Sequence, residues 1–138
     1  MTNTTPNLLQ TLTSRPRNVF LLDGVGALFS ALLLVLLIAP FEAVFGMPPE
    51  TAYKLSYPAF GFVVYSLGCY FLNPQGWKPF LLGIATANFL YCCVTLGLVI
   101  TEFAILTKLG VAYFLGEIGI VFGVIAIELM TVRQHSAK

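Results

Sequence analysis

Apolar residues crowd into four long stretches of this chain, roughly 19–39, 51–72, 79–101 and 105–130, and the polar residues between them form only three short joints. Each stretch has about the ~20 residues that an α-helix needs to cross a bilayer. The pattern predicts an all-α integral membrane protein, a four-helix bundle with up-down-up-down topology, and one transmembrane domain over residues 1–138.

The joints carry turn and interface chemistry. The first, FEAVFGMPPE, combines Phe41 and Phe45 with Gly46, Pro48 and Pro49, as a hairpin at the membrane surface requires, and Pro40 ends the span before it. Asn73-Pro74-Gln75-Gly76 is a turn, after which Trp77, Lys78 and Pro79 restart the chain with an aromatic and a cation at headgroup depth. The third joint, around Thr101 to Lys108, is short enough to make the last two spans antiparallel neighbours. Pro58 removes a backbone donor inside the second span and predicts a kink or local unwinding near Lys54 to Pro58. Ahead of the spans, Leu8, Leu9 and Leu12 predict one short amphipathic turn on the membrane surface after Pro6, with Asn18 capping the first span.

Composition sharpens this picture: 58% of residues are hydrophobic and 9% charged, and the mean hydropathy is +0.89. A formal net charge of +1, with scattered Lys and Arg, argues against a nucleic-acid partner. The first stretch exceeds the usual ~7–15 apolar residues of a signal peptide, and Ile38-Ala39-Pro40 is a poor cleavage site, so it reads as a retained span. Arg15, Arg17, Lys78, Arg133 and Lys138 fall on one side of a four-span chain, against Lys54 and Lys108 on the other, which places both termini in the cytoplasm. The expected location is the cell inner membrane, with membrane lipid as the immediate partner.

Candidate chemistry rests on the few polar residues that sit where lipid should be. An ionisable group at bilayer depth costs at least ~2.5–3.5 kcal/mol on insertion scales, so it faces the bundle interior and finds a partner. Asp23, about one turn inside the cytoplasmic rim, and Glu128, near the cytoplasmic end of the last span, are level with each other, and Arg17 and Arg133 can reach down to them. These four form a predicted cytoplasmic polar cluster, read either as a lock between the first and last spans or as a ligand or proton site.

Glu117 falls near mid-span, too deep to reach water. It lies eleven residues from Glu128, three turns plus ~20°, so both carboxyls project from one helix face. Asn88 and Tyr91 of the third span and Tyr65 and Ser66 of the second are placed near the depth of Glu117, which is expected to be protonated and hydrogen-bonded to Asn88 or a Tyr hydroxyl. Glu117, Asn88, Tyr91, Tyr65 and Ser66 are thus a candidate ligand or proton site, or a polar lock that gives the bundle one register. Small residues spaced by four, Gly26 with Ser30, Ala27 with Ala31, Gly83 with Ala87 and Gly119 with Gly123, mark helix contact faces within the bundle or, for the last pair, between copies.

The residue set disfavours a conventional enzyme, and no catalytic residue is assigned. His135, the sole histidine, falls in the tail, so neither a metal nor a haem or other cofactor is expected. Cys69, Cys92 and Cys93 lack the C-x-x-C spacing of thiol oxidoreductases, and the adjacent pair point ~100° apart on a helix. The stretches LDGVGALFSALLL and WKPFLLGIATANFLYCC, with the span layout, resemble a group of uncharacterised small four-span bacterial inner-membrane proteins. The likeness rests on Asp23, Trp77, Lys78, Pro79, Asn88 and Tyr91, and implies the fold but no activity.

The leading functional expectation is a non-catalytic membrane protein: an accessory subunit of a larger membrane complex, or a homo-oligomeric module that binds lipid or an apolar ligand between its helices. The alternative is a small proton-coupled transporter using Glu117, and an intramembrane isomerase ranks last, because Glu117 and Asp23 differ in depth. A reporter fused after Lys138 is expected to be active on the cytoplasmic side; activity confined to the periplasm would overturn the orientation.

Overall fold

The computed structural model describes residues 8–136, and these form helices joined by short turns, with no strand among them. The elements are α1 (Leu8–Ser14), α2 (Pro16–Leu33), which runs on through a π-helical turn at Leu34–Ile38, then α3 (Glu42–Phe45), α4 (Pro49–Leu72), α5 (Trp77–Thr101) and α6 (Lys108–Ser136). Four helices are long and apolar enough to cross a membrane: Pro16–Ile38, Pro49–Leu72, Trp77–Thr101 and Lys108–Ser136. The Leu8 and Leu9 side chains and Lys138 lie outside what the structure describes.

Helix ends follow local chemistry. Pro16 and Pro49 occupy the first turns of α2 and α4, where a missing N–H costs no bond, so α2 starts ahead of Asn18 and Arg15 stands at its N-cap instead. Pro40 also has no N–H, and its ring crowds the carbonyl four residues back; the preceding turn widens, with Ala39 N donating to Leu34 O at 3.0 Å. That turn brings both Leu34 and Ile38 into the core. The local unwinding expected near Pro58 is absent, since α4 stays helical through it. Asn73 closes α4 in the left-handed region, at φ 45°, with its N–H on Cys69 O at 2.9 Å.

The bundle is apolar outside and encloses a layer of polar residues within a largely apolar interior. Phe29, Leu36, Val64, Phe71, Leu72, Ile100 and Ile120 are exposed, whereas Asp23, Ser66, Asn88, Glu117 and Glu128 are buried. Lipid is as apolar as leucine, so helices in it gain little by hiding leucines from it and associate through close packing and polar contacts. Two apolar clusters nevertheless fill the ends of the bundle. One joins Leu34, Ile38, Phe45, Met47, Leu55 and Phe114; the other joins Val19, Phe20, Cys69, Leu81 and Ile84. Along α2, α4, α5 and α6 the buried polar residues fall between these clusters.

Helix α2 packs chiefly against α4, and α5 against α6. The close approach in the first pair is at Gly24, where a Cβ would stand 2.8 Å from Leu67 Cδ2. The small-residue pairs divide: a Cβ at Gly26, Gly119 or Gly123 would meet nothing within 4 Å, so these glycines are not close approaches inside the bundle, whereas one at Gly83 would stand 3.1 Å from the Tyr65 hydroxyl and Ala31 is fully buried.

A second tight point fastens α3 to the start of α6. Thr107 N donates to Phe45 O at 3.2 Å, Thr107 Oγ1 donates to Val44 O at 2.6 Å, and the same oxygen caps α6 by accepting from Gly110 N at 3.1 Å. Gly46 turns here at φ 80°, and a side chain on it would collide with Ile105 O, just as one on Gly110 would collide with Phe45 O. At the other end of the bundle, Lys78 Nζ donates to His135 O at 3.0 Å, with the Trp77 ring edge-on to His135 at 5.1 Å. Gly46→Ala is expected to destabilise by at least the ~1–2 kcal/mol that left-handed backbone costs an L-residue. Gly119→Ala should change stability by less than about 0.5 kcal/mol. Thermal unfolding of both variants in detergent measures the difference.

Candidate functional site: a buried polar layer without a cation

Asp23 is the hub of the layer. About two turns into α2 it is buried; Ser66 Oγ of α4 donates to its Oδ2 at 2.5 Å and Asn88 Nδ2 of α5 donates to its Oδ1 at 2.6 Å. The Asn88 amide also approaches Glu128 Oε1 of α6 at 3.4 Å, and the Glu128 carboxyl lies within hydrogen-bonding reach of the Asp23 carboxyl. One residue from each of the four long helices thus meets at a single point. Glu128 is 0% exposed, yet its Oε2 has no donor among the side chains around it.

The rim arginines do not join this cluster, contrary to expectation. Arg17 Nε donates to Tyr70 O at 2.8 Å, and its guanidinium lies 4.4 Å from the centre of the Tyr70 ring. The reason is local: the last carbonyls of α4 have no partner within their own helix, and a guanidinium one turn away satisfies one of them. Arg133 is exposed. Among the described residues the sole ion pair is Lys54 with Glu50, exposed on the first turns of α4, and no Lys, Arg or His is buried. The two acids are therefore held by neutral donors and by each other.

Glu117 forms a second polar centre nearer the α3 end. Its Oε1 accepts from the Tyr91 hydroxyl at 3.3 Å, Ser30 and Tyr113 are its further polar neighbours, and its Oε2 and the Tyr113 hydroxyl are unpartnered. Phe62 steadies Tyr91 edge-on, with ring centres 5.8 Å apart. Of the four candidates expected to supply at least one partner for Glu117, Tyr91 is the one that reaches it. Ser66 and Asn88 belong to Asp23, and Tyr65 donates to Phe80 O at 2.8 Å on the outer side of α4.

Depth explains the reassignment. At ~1.5 Å per residue, Asn88 stands about ten residues above the Lys78 to His135 contact and Glu117 about eighteen above it, too far for an amide but within reach of a tyrosine. Ser30 and Tyr113 escaped the sequence reading, although their spacing carried a signal: Ser30 is seven residues from Asp23 on one face of α2, and Tyr113 is four before Glu117 on α6.

Two spaces adjoin these centres. A cavity of about 50 Å³ is lined by Asp23, Ala27, Ser30, Asn88, Tyr91 and Val124, so it separates the Asp23 centre from the neighbours of Glu117. At ~10–15 Å³ of such volume per molecule it has room for about three waters. A groove of about 360 Å³ runs between α2 and α6, lined by Gly26, Ser30, Leu33, Ala112, Gly116 and Glu117, and opens on the apolar outer face at Phe29 and Ile120. Ser30 borders both. Among the described residues no three His, Cys, Asp or Glu gather as a metal site, and Cys92 faces inward while Cys93 faces outward.

No family model, no curated protein and no solved structure matches this chain. The geometry alone therefore carries any functional reading. Asp23→Ala should destabilise by about 1–3 kcal/mol, because it strands the Ser66 hydroxyl and the Asn88 amide, whereas Asp23→Asn should cost less. Equilibrium unfolding in mixed micelles checks the order of the two variants.

Proposed function

We propose that this chain is a multi-pass protein of the inner membrane, an up-down-up-down bundle with both termini cytoplasmic, of the small four-span kind that it resembles. The pairing of Arg17 with Tyr70 and of Asp23 with Ser66, and of Lys78 with His135 and Asn88 with Glu128, supports neighbours that run in opposite directions. It works without catalysis, as a module that takes a membrane-dissolved ligand between its helices, as a homo-oligomer or as an accessory subunit of a larger complex.

The observation that carries this reading is the α2–α6 groove. Its walls are mostly apolar, its mouth opens among exposed apolar side chains, and the buried Glu117 that lines it keeps one carboxyl oxygen without a donor. A buried acceptor without a partner is costly, and a ligand that donates to it removes the cost. The fitting occupant is an amphiphile with an apolar body and a hydroxyl or amine head, in a space of the size that small-molecule sites use. The second reading, a proton-coupled transporter using Glu117, draws on Ser30, which borders both the groove and the inner cavity and so brings ligand and proton sites into contact.

A photoreactive long-chain alcohol in vesicles tests the groove. Labelling of α6 around Gly116 is expected, and Gly116→Phe should abolish it by filling the groove, since a Cβ there meets nothing within 4 Å. Glu117→Leu should weaken binding about tenfold, the worth of one hydrogen bond, while Glu117→Gln retains an acceptor and most of the affinity. Labelling that ignores both Gly116→Phe and Glu117→Leu would overturn the proposal, and ligand-dependent proton flux abolished by Glu117→Gln would favour the transporter.

A further inference from the structure

We propose that Asp23 and Glu128 form a proton-binding site, in which one proton is held between the two carboxyls and exchanged with water in the inner cavity. The site is separate from the α2–α6 groove and stands whether or not the groove binds a ligand. Its parts are the juxtaposed carboxyls of α2 and α6, the Ser66 hydroxyl of α4 and the Asn88 amide of α5.

Donor counting leads to the proton. Asp23 takes one hydrogen bond on each oxygen, from Ser66 and from Asn88. Glu128 Oε1 takes the long second contact of the Asn88 amide, and Oε2, in a residue with 0% exposure, takes none. Two carboxylates within hydrogen-bonding reach of each other cannot both carry a charge in a medium of low dielectric without a cation, and no cation is buried here. A proton on either carboxyl removes one charge and also supplies the absent donor, so the same atom answers both the electrostatic and the hydrogen-bonding deficit.

The other groups facing this point leave the proton to the acid pair. Helix α4 turns Cys69 inward, α5 turns Tyr91 and Cys92 inward, and α6 turns Glu117 inward. Arg17 is committed to Tyr70 O, Lys78 to His135 O, and the His135 ring to Thr131 O at 2.9 Å. The described part of α1 carries no charged side chain.

Exchange needs a route, and Asp23 and Asn88 line the cavity of about 50 Å³ whose far wall is Ser30 and Tyr91, the polar neighbours of Glu117. A hydronium in that space gives its proton to the pair and is left as water; the reverse step returns it. The two acid centres then communicate through about three water molecules and two hydroxyls rather than through side-chain contact.

Infrared difference spectroscopy of the full chain in lipid vesicles, stepped through pH, tests the site. The carbonyl band of a protonated carboxylic acid is expected to appear, to shift in heavy water and to titrate reversibly. Asp23→Asn and Glu128→Gln should each abolish it or move its frequency and midpoint, because the remaining acid loses its partner, while Glu117→Gln leaves it unchanged. Ser66→Ala, which keeps both acids, should move the midpoint by about one pH unit, the scale of one hydrogen bond to a carboxylate. That variant keeps the test decisive if an acid substitution fails to fold. A band that is unchanged in frequency and midpoint in folded Asp23→Asn and Glu128→Gln, or that vanishes only with Glu117→Gln, would overturn the assignment, and so would the absence of any titrating band.

Discussion

Asp23 makes the constraint on which the rest of the bundle depends: a carboxyl placed in the interior of an apolar chain has to find its donors on other helices. Ser66 and Asn88 supply them from α4 and α5, and Glu128 closes the group from α6. Leucine-on-leucine packing at the two ends of the bundle would tolerate a slip of one helix along another, because lipid and core are equally apolar. Hydrogen bonds that converge on one carboxyl tolerate none, so the polar layer gives the four helices a single register.

The same constraint orders the surroundings of the layer. Gly24 lets α2 close on Leu67 of α4, one residue from both Asp23 and Ser66, so that a short hydroxyl can reach the acid. On α6, Glu128 and Glu117 share a face but differ in depth by about three turns. The upper acid therefore meets tyrosines, whose long side chains bridge to it, and its centre opens sideways onto the apolar outer face through the groove beside Gly26 and Gly116. Long side chains at the helix ends do other work: Arg17 and Lys78 bind the last carbonyls of α4 and α6 and tie neighbouring helix ends together.

A polar core of this kind is consistent with more than a lock. A structural lock gains most when every member is satisfied, and here Glu117 Oε2, Glu128 Oε2 and the Tyr113 hydroxyl are not. Glu117 Oε2 and the Tyr113 hydroxyl belong to residues that line the groove, Glu128 Oε2 lies behind the cavity-lining Asp23 and Asn88, and Thr95 Oγ1 borders neither space. The proposed ligand site follows from the first of these atoms and the proton site from the third.

The chain's own pattern determined that four helices are long and apolar enough to span a membrane, where they begin and end to within about six residues, and which residues are polar at depth, but not the short helix α3. Span length, proline and glycine placement and the cost of charge in lipid are local properties, legible one residue at a time. Pairing was not legible. Arg17 could equally reach down to Asp23 or across to α4, and the choice fell to an unsatisfied carbonyl at Tyr70 that no spacing rule locates. Likewise Asn88 lies one turn from Tyr91 on α5, yet the two serve different acids. Which acid each one serves depends on how α5 slides and rotates against α2 and α6, and on side chains of different reach. Those offsets are a few ångströms, larger than a hydrogen bond and smaller than the ~5.4 Å pitch of a helix, so only the packed bundle decides them.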